Sequence, residues 1–187
     1  MIAVIRCEDF TRAKLISKTI INSGIDALEV TFTVKGAPEL IKELKAESSG
    51  VIIGAGTVLT VVQAEDALKA GADFIVSPCI IEEVGAFFRE RGIFCSMAAG
   101  TSTEVYNSYN HGSDVVKLFP GEYMNPGIIK AIKAPMPFID IMPTGGVDHK
   151  NIKSWFDNGA FAIGVGGYLT KNIDENNLDI LNPDAKF

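Results

Sequence analysis

The chain has 187 residues, 47% of them hydrophobic and 21% charged, with a mean hydropathy of +0.22; that composition supports one cored domain and excludes a disordered chain. Its 17 Lys and Arg against 23 Asp and Glu give a net charge of −6, which argues against a general nucleic-acid binder but leaves room for a local anion pocket. No apolar run nears the ~18 residues of a membrane span, no signal-peptide layout opens the chain, and three cysteines (Cys7, Cys79 and Cys95) make no disulfide framework, so a cytoplasmic globular protein is expected.

Short β-branched, apolar runs begin near Ile2, Ala27, Val51, Phe74, Phe94, Val115, Phe138 and Ala162, at intervals of 20 to 25 residues. Helical spacing fills the gaps. Residues 11–22 line up Ala13, Ile16 and Ile20, and residues 60–70 open with a Thr60–Gln63 capping-box pattern before Val61, Ala64, Ala67 and Leu68. Residues 81–91 align Ile81, Val84, Phe87 and Phe88, and residues 148–158 align Ile152, Trp155 and Phe156. The segment 102–110 has the weakest helix propensity, with two Tyr and two Asn. Gly24, Gly50, Gly71, Gly92, Gly112 and Gly159 each stand just before a strand run, where a helix ends in a left-handed residue; Pro135 and Pro137 serve the remaining joint. Strands alternating with helices make a parallel sheet, and eight of them predict closure into a small (β/α)8 TIM barrel. An open doubly wound sheet is the alternative, but the beat shows no break where such a sheet would reverse.

The C-terminal ends of the runs collect the polar residues, where barrel chemistry sits. Lys117 lies inside the apolar run Val115-Val116-Lys117-Leu118-Phe119. Burial there strips the ammonium of water and favours a neutral amine able to form a Schiff base, unless the side chain snorkels to solvent. Glu29, in Ala27-Leu28-Glu29-Val30-Thr31, is either its proton-transfer partner or half of a structural ion pair. Thr144-Gly145-Gly146 and Gly164-Val165-Gly166-Gly167 follow the last two strands, the usual place in this fold for backbone N–H groups to cradle a phosphate.

Leu28-Glu29-Val30-Thr31, Gly54-Ala55-Gly56-Thr57-Val58, Lys117-Leu118-Phe119-Pro120 and Pro143-Thr144-Gly145-Gly146, in this order, resemble the 2-keto-3-deoxy-6-phosphogluconate (KDPG)/4-hydroxy-2-oxoglutarate (KHG) aldolase family from about Ile2 to Leu169. The resemblance implies one class I aldolase domain over 1–187, a lyase without metal or other cofactor, commonly trimeric. It implies that Lys117 attacks the C2 ketone and that Glu29 removes the C4 hydroxyl proton. Thr57 would help hold the pyruvyl carboxylate, Thr33, Pro78, Phe119 and Thr144 would contact substrate, and Gly145, Gly146, Gly166 and Gly167 would cradle the phosphate. Pyruvate and glyceraldehyde 3-phosphate would be the products. Many members carry Arg where this chain has Thr33, and Arg6 at the end of the first strand is the candidate replacement. Met97-Ala98 stands where the family usually has Pro-Gly, and Gly167 where it often has Ser. Compared with the family, a helix before the first strand is expected to be missing, and with 18 residues after Leu169 a shortened eighth helix is expected.

Two further readings stay open on the residues alone: a phosphate-binding barrel of the epimerase or isomerase kind, and a non-catalytic barrel holding a phosphorylated ligand. His111 suits a helix end and His149 is expected to face solvent; neither belongs to a cluster with metal-ligand spacing. Cys7 and Cys79 fall near the mouth without a histidine partner and read as inert thiols. Trp155 and Phe156 read as helix-to-barrel packing.

Overall fold

The computed structural model describes residues 1–25 and 27–170. Among these, strands and helices alternate as β1 (Ile2–Ile5), α1 (Phe10–Asn22), β2 (Ala27–Thr31), α2 (Ala37–Glu47), β3 (Ile52–Gly56), α3 (Val61–Lys69), β4 (Phe74–Ser77) and α4 (Glu82–Arg89). The second half runs β5 (Phe94–Ala99), α5 (Ser102–Asn110), β6 (Val116–Leu118), a 3-10 turn (Gly121–Tyr123), α6 (Gly127–Lys133), β7 (Ile141–Pro143), α7 (Ile152–Asp157), β8 (Gly164–Val165) and α8 (Gly167–Thr170). All strand pairs are parallel, in the order β7-β6-β5-β4-β3-β2-β1-β8. A parallel bridge between Thr144 and Gly164 joins the two outer strands, so the sheet is a closed barrel rather than an open doubly wound layer.

Alternation along each strand divides the side chains into two layers. Ala3, Ile5, Leu28, Val30, Ile53 and Ile75 face outward and are buried beneath the helices. Paired residues in a parallel sheet share a face, so the registers Val4↔Glu29↔Gly54 and Ala98↔Lys117↔Met142 put these residues inside the barrel. Two glycines make that interior possible by their lack of a side chain. A Cβ on Gly54 would stand 2.3 Å from the Phe74 ring, and one on Gly56 would stand 2.1 Å from Glu29 Oε1.

The helix-ending glycines all adopt positive φ, from 62° at Gly92 to 111° at Gly112. Thr60 caps α3 as expected, accepting from Gln63 N at 3.2 Å; the reciprocal bond differs, because Gln63 Oε1 accepts from Leu59 N at 2.7 Å. Two expectations need correction. Trp155 is buried but Phe156 is 44% exposed, since neighbouring helical residues diverge by about 100° and one side of this short helix faces the barrel. The last strands also start later than their apolar runs, at Ile141 and Gly164. After the two prolines, residues 138–140 complete the turn out of α6, with Ile139 N donating to Met136 O, and this leaves Phe138 57% exposed. The expected shortening of the eighth helix concerns residues 171–187, which lie outside the described residues.

Candidate active site

In an eight-stranded ring β2 and β6 stand opposite each other, and their inward ionisable residues meet across the barrel. Lys117 Nζ is 3.5 Å from Glu29 Oε1, with Lys117 2% and Glu29 1% exposed. Lys117 therefore does not snorkel. The separation is long beside the ~2.8 Å of a tight charge-assisted bond, so the amine is near the carboxylate without being clamped by it. Glu29 Oε2 is buried and accepts from no described residue, which leaves an oxygen available for proton transfer. Lys117 Nζ also faces the Phe119 ring, 5.5 Å from its centroid.

Above the pair, a cleft of about 560 Å³ opens at the C-terminal rim between the ends of β6, β7, β8 and β1. Arg6, Phe119, Thr144, Gly145, Gly146, Gly166 and Gly167 all line it. The β7 loop is pinned from both sides: Asn151 Nδ2 donates to Gly146 O at 2.7 Å, and Gly121 N donates to Thr144 O at 2.8 Å. Gly145 and Gly146 take φ of 96° and 66°, and their N–H groups donate to no described residue. Arg6 is exposed in the cleft and makes no ion pair among the described residues. Thr144 Oγ1 is buried without a hydrogen-bond partner among the described residues, beside the bare face of Gly164.

The other expected residues do not line this cleft. Thr57 and Pro78 end β3 and β4, on the opposite half of the mouth; Thr57 holds a strained φ of 58°. Thr33 lies exposed on the turn after β2, its hydroxyl 2.6 Å from Thr31 Oγ1, which also donates to Ile5 O at 2.9 Å. The sequence reasoning missed the polar lining residues Glu122, Asp148 and Tyr168. Their signal was position: each directly follows a rim motif or lies within two residues of one. Among the thiols, Cys95 is buried, and burial together with the Asp114 carboxylate pushes it up to about 12. His111 caps the end of α5, and its Nε2 lies 3.6 Å from Glu82 Oε1.

A parallel barrel with a buried amine beside a carboxylate, below a glycine-lined rim cleft, defines a barrel lyase of the Schiff-base kind. The family model "KDPG and KHG aldolase" matches residues 1–182, and the chain belongs to that family of class I aldolases. It is 34% identical over 156 residues to 2-dehydro-3-deoxy-phosphogluconate aldolase of Treponema pallidum (83% of this chain, 74% of the relative). It is 32% identical over 152 residues to 2-dehydro-3-deoxy-6-phosphogalactonate aldolase of Escherichia coli K12 (80% and 74%). Among solved structures it resembles KDPG aldolase of Legionella pneumophila with pyruvate captured as a covalent carbinolamine, with TM-score 0.81, 26% identity, and 95% of this chain and 85% of that one covered.

Proposed function

We propose that the protein cleaves 2-keto-3-deoxy-6-phosphogluconate, or a close analogue, to pyruvate and glyceraldehyde 3-phosphate. The observation that carries this reading is the buried Lys117–Glu29 pair under the glycine cleft. In the proposed sequence, neutral Lys117 Nζ adds to the C2 ketone, and the carbinolamine loses water with a proton from Glu29, leaving a protonated imine. Glu29, now a carboxylate, takes the C4 hydroxyl proton. The C3–C4 bond breaks, its electron pair passes to the imine nitrogen, and the aldehyde leaves. Glu29 then protonates C3 of the enamine, and hydrolysis releases pyruvate and restores the amine. Burial also serves the chemistry by keeping bulk water from the enamine.

In this reading Arg6 and Thr57 meet the pyruvyl carboxylate, and Thr33, Pro78, Phe119 and Thr144 shape the substrate wall. The N–H groups of Gly145, Gly146, Gly166 and Gly167 receive the phosphate. One aldolase domain over residues 1–187, working as a cytoplasmic homotrimer, completes the proposal; the family resemblance supports it. Among the described residues no helix is long and apolar enough to cross a membrane.

The test is borohydride reduction in the presence of pyruvate. The expected result is one reduced pyruvyl group on the Lys117 peptide, and loss of both adduct and at least about a thousandfold of activity in Lys117→Arg. An unmodified Lys117 in active enzyme, or an active Lys117→Arg, would sink the mechanism in favour of an isomerase-type phosphate barrel. Product analysis with the gluconate- and galactonate-derived epimers, each with and without phosphate, assigns the substrate.

A further inference from the structure

The rim cleft carries more negative than positive charge. Among the described residues Arg6 is the one cation in its lining, against Glu122 and Asp148. Asp148 belongs to the turn before α7, where its Oδ1 accepts from Lys150 N at 2.8 Å and Asn151 N at 3.0 Å. Glu122 is different: it is exposed, and its carboxylate makes no hydrogen bond or ion pair among the described residues.

That side chain leans on the β7 loop. Glu122 Oε2 stands 2.1 Å from where a Cβ on Gly145 would be, and Glu122 Cα stands 2.7 Å from where one on Gly146 would be. A single carbon–carbon bond of about 1.5 Å separates such a Cβ from the glycine Cα, so the carboxylate touches the loop whose N–H groups are unpaired among the described residues. The backbone beneath it is held, because Gly121 N donates to Thr144 O at 2.8 Å; the carboxylate moves only by turning about its own side-chain bonds. A phosphomonoester seated on these N–H groups has its second ionisation near pH ~6 and is mostly a dianion at neutral pH. Two acid groups brought this close disfavour each other's charge, and one proton held between their oxygens turns the repulsion into a charge-assisted hydrogen bond.

We propose that Glu122 selects the singly protonated form of the substrate's phosphate group. Its carboxylate accepts from the P–OH of the ester, while the other phosphate oxygens accept from the loop N–H groups. A dianionic ester therefore takes up one proton from solution as it binds and returns it when the product leaves. The inference rests on the phosphate reading of the cleft given above. The other titratable groups lining the cleft are Arg6 from the end of β1, Asp148 from the β7 loop and Tyr168 from α8, the last hydrogen-bonded to His149 Nδ1. Lys117 and Glu29 are buried below. His149 is the competing proton acceptor for which the test controls.

The experiment follows kcat/KM for KDPG against pH in wild type, Glu122→Gln and His149→Asn. All three share Lys117 and Glu29, so the ratio of wild type to Glu122→Gln isolates the phosphate proton. That ratio is expected to fall about tenfold per pH unit above pH ~6, because the amide of the variant donates to the dianion that wild type disfavours. Near pH ~8 the variant should be the faster enzyme, and His149→Asn should keep the wild-type profile. Independently of any variant, calorimetry of wild type with glycerol 3-phosphate near pH ~8, in HEPES and in Tris, should show uptake of about one proton per site. A ratio that does not change with pH, a His149→Asn profile without the dependence, or binding without proton uptake overturns the role of Glu122. The phosphate reading survives that result if wild type still prefers KDPG to its nonphosphorylated analogue. Equal kcat/KM for those two substrates overturns both.

Discussion

Lys117 and Glu29 are separated by 88 residues yet meet inside the barrel, and the room for their meeting comes from Gly56. That glycine does not have a positive φ, so its backbone accepts alanine; the added Cβ instead meets Glu29 Oε1. Gly56→Ala is expected to lower kcat about a hundredfold, the scale of losing a positioned proton-transfer group, while the far-ultraviolet circular dichroism stays native. Gly54→Ala is the contrasting control. Its Cβ meets the Phe74 ring, so it should cost about 1–3 kcal/mol of stability by overpacking. A Gly56→Ala enzyme of wild-type kcat would remove Glu29 placement from the mechanism. At this scale the sequence showed an amine and a carboxylate in apolar strands, but whether Lys117 pointed inward or snorkelled was open until strand register placed it.

The elements follow from short-range signals, and α5 shows how few are needed. Its interior is rich in poor helix formers, and a capping box compensates at the N-terminus. Thr101 Oγ1 accepts from Glu104 N at 3.2 Å, and Glu104 Oε2 accepts from Gly100 N at 2.9 Å and Thr101 Oγ1 at 3.0 Å. Thr101→Ala should cost about 1 kcal/mol in urea unfolding. The Gly100 N–H first, and the Thr101 hydroxyl second, hold the Glu104 carboxyl below its ordinary value. Its stabilising contribution is therefore full above the unfolded-state value and is lost as pH falls through the lower folded-state value. Glu104→Gln should unfold at lower urea than wild type near pH ~7, and its deficit should shrink as pH is lowered below the ordinary carboxyl range; a deficit that does not change with pH would discount the charge. Such caps are local in sequence and legible there. The later starts of β7 and β8 were not, because an apolar run does not reveal how many residues a turn takes before pairing begins.

The whole barrel is closed at its weakest seam. β8 contributes two residues and pairs with β1 through Ile2↔Gly164 and Ala3↔Val165, while its contact with β7 is the Thr144–Gly164 bridge. By contrast β2 and β3 pair over five positions. Native-state hydrogen exchange should open the β7–β8 seam before β2 and β3; equal protection around the ring would contradict a weak seam. The glycine loops belong to this seam, so substrate that engages both is expected to slow its exchange. From the sequence alone came the alternation of elements, the helix stops at Gly24 through Gly159, and the polar rim, because hydrophobic period, capping and left-handed backbone are set by neighbours along the chain. Tertiary structure alone decided that the ring closes, that Lys117 lies 3.5 Å from Glu29, and that Tyr168 meets His149. Each of these depends on strands far apart in sequence becoming neighbours, or facing one another across the barrel, and no local preference encodes that distance.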